Sequence, residues 1–103
     1  MTFLKNVQSY NGLFRIYREN LKDYQKAIEV IDRLLTIGIY DVRLLKNGIY
    51  LLIHRNYKIY DYDKARRYLN AMRKARFQNP WTKTTIRDLA YKIELYSKRN
   101  KRF

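Results

Sequence analysis

Cysteine is absent from this chain of 103 residues, and it holds one proline, one histidine, one tryptophan and three glycines. Without cysteine there is no disulfide framework, zinc ribbon or thiol nucleophile. His54 alone supplies too few nitrogen ligands for a typical zinc site. So few glycines and prolines leave no linker, and the chain reads as a single helical domain over 1–97 with a basic tail at 98–103. The longest apolar stretches, such as Gly48 to Ile53, fall far short of the roughly 20 residues that cross a bilayer. Met1 to Asn6 lacks the basic-then-apolar order of a secretory signal. The expectation is a cytoplasmic protein that makes no use of a membrane. There is no Gly-rich phosphate loop, Ser/His/Asp set or deaminase-type motif, so neither a cofactor nor an enzyme is expected.

Acidic residues are scarce as well. Nine Asp and Glu stand against 23 Lys and Arg, for a net charge of +14. The imbalance is local: residues 1–63 carry 10 basic and 7 acidic side chains, whereas 64–103 carry 13 basic ones against Asp88 and Glu94. Such a footprint implies an anionic partner, with nucleic acid first and an acidic protein surface second. With 47% hydrophobic and 16% aromatic residues, the chain still has enough apolar material for a core.

Apolar spacing is helical. Leu4, Val7, Phe14 and Tyr17 mark a first helix between Phe3 and Tyr17. Tyr24, Ala27, Ile28, Ile31, Leu34 and Leu35 mark a second, ended by Gly38. Asp41 can cap a third, with Val42, Leu45, Ile49, Leu52 and Ile53 on one side and Gly48 as an interior weakness. A competing reading makes Ile49–His54 and Tyr57–Tyr62 strands of a hairpin, which would turn the helix pair around Gly38 into a winged helix-turn-helix with Val42–Asn47 as the reading helix. Asp61 or Asp63 opens a fourth helix reaching Gln78–Asn79, and Thr82 or Thr84 caps a fifth. As a metal or acid–base set with His54, the Asp61–Asp63 pair is outweighed by this capping role. Thr84 to Ile93 also has the pattern of a helix-turn-helix first helix, but too little chain follows it for a recognition helix. The expected fold is all-α, five short helices as two stacked hairpins plus a capping helix. Its core is Phe14, Ala27, Ile31, Leu34, Leu52, Ala65, Leu69, Met72, Leu89 and Ile93.

Asp23-Tyr-Gln-Lys-Ala27 recurs as Asp61-Tyr-Asp-Lys-Ala65, 38 residues on, and Phe14, Ile31 and Leu34 pair in the same register with Leu52, Leu69 and Met72. This resembles the tetratricopeptide repeat over roughly residues 10–80, in two copies. The resemblance implies that Ala27 and Ala65 are the small residues where paired helices cross, that Tyr24 and Tyr62 are turn aromatics, and that the last helix is a cap. The spacing of 38 departs from the family's period of about 34. Arg15 and Ile53 stand where small residues are usual.

The basic residues Arg66, Arg67, Arg73, Lys74 and Arg76 lie mainly off the face of Ala65, Leu69 and Met72. Lys83, Arg87, Lys98, Arg99, Lys101 and Arg102 extend the stripe. Clustered cations bind phosphate backbones by releasing counterions, and single strands add stacking on aromatics such as Tyr57, Tyr60 and Tyr68. The expected function is therefore non-enzymatic binding of RNA or single-stranded DNA through the fourth and fifth helices. The alternative is a helical-repeat adaptor or inhibitor that holds an acidic protein or forms a homodimer.

Overall fold

Three aspartates begin three helices. In the computed structural model, which describes residues 7–75 and 80–100, the Asp23, Asp41 and Asp61 carboxylates accept the backbone N–H of Lys26 (3.1 Å), Leu44 (2.9 Å) and Lys64 (3.0 Å). Each satisfies a donor that the first helical turn leaves without a partner. The helices are α1 (Val7–Arg15), α2 (Tyr24–Thr36), α3 (Val42–Ile53), α4 (Tyr62–Arg73) and α5 (Pro80–Asn100). A π-helical turn, Ile16–Asn20, continues α1, and a 3-10 turn, Arg55–Tyr57, follows α3.

α2 ends on a Schellman motif. Gly38 has φ +83°, its N–H bonds the Leu35 carbonyl and the Ile39 N–H bonds the Leu34 carbonyl, each at 3.0 Å. The chain then reverses into α3. α1 packs on α2, α3 on α4, α2 on α3, and α5 covers α3 and α4. The fold is all-α, two helical hairpins with a closing helix. All ten expected core residues are buried.

No strand occurs among the described residues, which removes the winged-helix alternative: 49–53 completes α3, and Lys58, at φ 65°, turns the chain toward the Asp61 cap. Val42–Asn47 is no reading helix either. Leu44, Leu45, Gly48, Ile49, Leu51, Leu52 and Ile53 are all buried, so α3 is the central strut and offers little surface to a groove.

Gly48 allows that position. A Cβ there would lie 2.5 Å from Ile31 Cδ1 and 2.8 Å from Tyr68 Cε2, so α2, α3 and α4 meet closely only because it carries no side chain. Ala27 and Ala65 are equally inaccessible, as are Ile31 and Leu34 in α2 and Leu69 and Met72 in α4.

Some boundaries differ from expectation. α5 starts at Pro80, a residue suited to a first helical turn, and Thr82 is buried within it rather than capping it. α4 ends at Arg73, with Lys74 as its C-cap; the expected extension over 76–79 lies outside the described residues. Lys98 and Arg99 belong to α5 rather than to a tail, while residues 3–6 of the expected first helix and residues 101–103 lie outside the description.

Candidate nucleic-acid interface

Carboxylates in this fold are mostly occupied with one another's helices. Asp23, Asp41 and Asp61 cap. Glu19 pairs with Arg15 and Arg18. Asp32 on α2 receives both the Lys64 Nζ and the Tyr68 hydroxyl of α4, each at 2.6 Å. Asp63 and Glu94 hold Arg66, whose Nη1 donates to Asp63 and whose Nε donates to Glu94, both at 2.8 Å. Seven of the nine acidic side chains cap or pair in this way, most of them at the surface, where Glu29 and Asp88 are exposed too.

Arg66 therefore differs from its neighbours in the predicted stripe. Its guanidinium also reaches Ser97 (3.4 Å), and hydrogen bonding to Glu94 pushes its pKa further above the usual arginine value. It clamps α4 to α5. Moving seven residues along α4 from Arg66 reaches Arg73, and seven back along antiparallel α5 from Glu94 reaches Arg87. Arg73 lines the groove of about 240 Å³ there with Arg66, Leu69, Asn70, Ala90, Ile93 and Glu94, whereas Arg87 is exposed on α5 and does not line it.

At about 100° per residue, Lys83, Arg87, Tyr91 and Lys98 fall within about 80° of one another on α5, opposite buried Leu89 and Ile93. All four are exposed. Arg67 and Lys74 lie on the other flank of α4 and line a hollow of about 310 Å³ with Leu35 and Tyr40. Arg99 points away from both sets, toward α3. Arg76, Lys101 and Arg102 lie outside the described residues. One predicted stripe has become two flanks of α4, an outer arc of α5 and an isolated Arg99.

The aromatic expectation needs a correction. Tyr68 is 1% exposed; its hydroxyl bonds Asp32 and the Ile28 carbonyl (3.4 Å), and burial, then the bond to Asp32, raises its pKa. It is a core strut and cannot stack on a base. Tyr57 is half-buried against Tyr24, with ring centroids 4.6 Å apart. Tyr60 is exposed beneath the Arg55 guanidinium. The aromatic missed is Tyr91, 67% exposed among Arg87 and Lys98. Helical phase alone signals both: Tyr68 follows Ala65 by three residues, onto the buried arc, and Tyr91 lies opposite Ile93.

A second cationic site, also not foreseen, surrounds His54. Ile53, His54, Arg55, Tyr96 and Arg99 line a cleft of about 260 Å³ where the C-terminal ends of α3 and α5 meet. His54 lies edge-on to Tyr96 (5.1 Å) and Tyr57 (6.4 Å) and parallel to Tyr50 (6.0 Å, 4°). The Arg99 guanidinium lies over Tyr96 at 5.6 Å, and the Lys92 ammonium over Tyr50 at 5.4 Å. Burial, and secondarily Lys92, lowers the His54 pKa.

Among the described residues no group of three or more His, Asp or Glu could hold a metal ion, and no helix is long and apolar enough to cross a membrane. Comparison with protein-family models, with curated proteins and with solved structures returns no match, so geometry and charge alone support the functional reading.

Proposed function

We propose that this chain is a non-enzymatic module that binds RNA or single-stranded DNA through its phosphates, using the exposed face of α4 and α5. One observation supports the reading above the others: Lys83, Arg87 and Lys98 share an exposed arc with Tyr91, while Asp63 and Glu94 are tied to Arg66 and the exposed Asp88 stands at the edge of the arc. A cation row that outnumbers the acid at its edge, with an open aromatic in it, suits a flexible strand, whose unstacked bases can reach the ring. We read the two hairpins as units of tetratricopeptide type. In support, Asp23 and Asp61 cap α2 and α4 alike, and Ala27 and Ala65 occupy matching buried positions. A cytoplasmic setting accompanies this reading.

If Arg67, Lys74, Lys83, Arg87 and Lys98 each neutralise one phosphate, log K should fall with log salt at a slope of about −3.5. That is a loss of about 100-fold between roughly 50 and 200 mM. Fluorescence anisotropy with a labelled single strand measures it. Replacing Lys83, Arg87 or Lys98 by Ala should flatten the slope by roughly 0.7 apiece, on every sequence alike. A flat salt response, or no binding at low salt, refutes the proposal.

A second reading, an adaptor for an acidic protein or for a second copy, is favoured by different residues. Leu13, Ile16 and Leu21 are exposed apolar side chains, and Leu13 lines a groove whose charged members are Lys26, Glu29 and Arg33. A protein captured from nuclease-treated lysate, and released by Leu13→Ser, would support that reading over the first.

A further inference from the structure

We propose that the cleft between the ends of α3 and α5 is a subsite for one unpaired nucleotide, its base stacked on the Arg99 guanidinium and its phosphate held by Arg55 and Arg99. The inference rests on the nucleic-acid reading above and adds to it a place where a base, and not only a backbone, is gripped.

The cleft is assembled from parts distant in sequence. Ile53 and His54 come from the end of α3, Arg55 from the 3-10 turn, and Tyr96 and Arg99 from the last turns of α5. Among the described residues no carboxylate lines it. Its aromatic side is already ordered. The His54 ring lies parallel to Tyr50 and edge-on to Tyr96, and the Arg99 guanidinium lies over the Tyr96 ring at 5.6 Å. A planar guanidinium held on an aromatic ring keeps its far face available to a base and its N–H edge available to a phosphate oxygen. Arg55 is steadied in the same way on Tyr60, at 5.6 Å. Two pre-positioned guanidiniums lose less side-chain freedom on binding than two free lysines would.

Size and field narrow the ligand. At about 260 Å³ the cleft lies just below the range of about 300 to 1,000 Å³ common for small-molecule sites, which suits one nucleotide and not two. The C-terminal ends of α3 and α5 repel an anion, so no helix terminus assists and the attraction comes from Arg55 and Arg99, with Lys92 behind them. A base paired inside a duplex cannot present its face to Arg99, so the subsite favours single strands, loops and ends.

The same dipoles offer a purely structural role for the two arginines, and charge-preserving substitutions separate the roles. With the full chain at low salt, anisotropy is measured for a labelled oligothymidylate and for an abasic sugar-phosphate strand of equal length. The wild type should hold the base-bearing strand about tenfold more tightly. Arg99→Lys, with unchanged circular dichroism, should reduce that preference to about twofold while weakening the abasic strand by only a few-fold and leaving the salt slope as it was; Arg55→Lys should weaken both strands by a few-fold and leave the preference in place. Equal affinity of the wild type for the two strands overturns the subsite, as does a preference that survives Arg99→Lys. A preference abolished only by Tyr91→Ala also overturns it, placing the stacking on α5's outer arc. Failure of both strands to bind overturns the nucleic-acid reading itself.

Discussion

Replacing Gly48 by Ala sets two effects of known size against each other. Within a helix, Ala is favoured over Gly by about 1 kcal/mol. In an open helix that preference decides the outcome, and Gly12 of α1, with nothing within 4 Å of a built Cβ, is such a place. At Gly48 the new methyl would stand 2.5 Å from Ile31 Cδ1 and 2.8 Å from Tyr68 Cε2, where carbon–carbon contacts settle near 3.5 to 4.0 Å. Both neighbours must retreat by about 1 Å. Ile31 is fully packed, and the Tyr68 ring is tethered by its hydroxyl to Asp32. Overpacking of this kind costs about 1–3 kcal/mol, and straining the Tyr68 bond adds up to about 1 kcal/mol. Net of propensity, Gly48→Ala should destabilise by about 1–2 kcal/mol, while Gly12→Ala should stabilise by about 0.5–1 kcal/mol. In melting temperature the two variants should separate by roughly 10 °C. Urea titration and thermal melts followed by far-UV circular dichroism read both. Ile31→Val deletes the nearer clashing atom, so the double variant Gly48→Ala/Ile31→Val should be less destabilised than the sum of its singles by about 0.5–1 kcal/mol. If Gly48→Ala is as stable as the wild type, or the pair is additive, the close approach of α2, α3 and α4 at that point is refuted.

Tyr68→Phe removes the bond to Asp32 between α2 and α4 and should destabilise by about 1–2 kcal/mol in chemical denaturation, with oligonucleotide affinity unchanged; lost affinity would return Tyr68 to the binding surface. Arg66→Gln unclasps α4 from α5, but the side chain is 36% exposed and solvent screens the pair, so the loss should stay below about 1 kcal/mol. Releasing Asp63 and Glu94 beside the cation row should also weaken single-strand binding, and Glu94→Gln added to Arg66→Gln should restore much of it; no recovery in the double variant would contradict the structural role of Arg66. His54, lowered by burial and by Lys92, takes up its proton later in the folded chain than in the unfolded one. Stability should thus be full above the unfolded value near 6.5 and decline as pH falls below it toward the lowered folded value, and melts of His54→Gln across that window should show a shallower decline; an equal slope in both proteins rejects the assignment.

Local chemistry made much of the fold legible. Asp-capped helices, Gly38 at a helix end and apolar residues at helical spacing sufficed to place α2 and the ten core positions. Residues 49–53 were ambiguous because Ile, Tyr and Leu suit strands as well as helices. The two neighbours that make Gly48 necessary, Ile31 and Tyr68, come from α2 and α4, and no local pattern reports such a meeting. The proposed binding face was legible as a total and not residue by residue. Arg66 and Arg67 are adjacent and chemically identical, yet Glu94, 28 positions from Arg66, ties one of them into an ion pair. The cleft around His54 could not be read at all, since the aromatic and cationic parts from α3 and α5 meet only after folding.

The assignment of the carboxylates has a consequence for how this protein can vary. Its acids set helix starts and clamp elements, whereas most of its bases stand outside that framework. Shape and recognition are thereby written in opposite charges. If the proposed reading holds, changes among the exposed lysines and arginines would retune affinity and salt response while the architecture stays intact, whereas a lost aspartate at position 23, 41 or 61 weakens a helix whatever the partner.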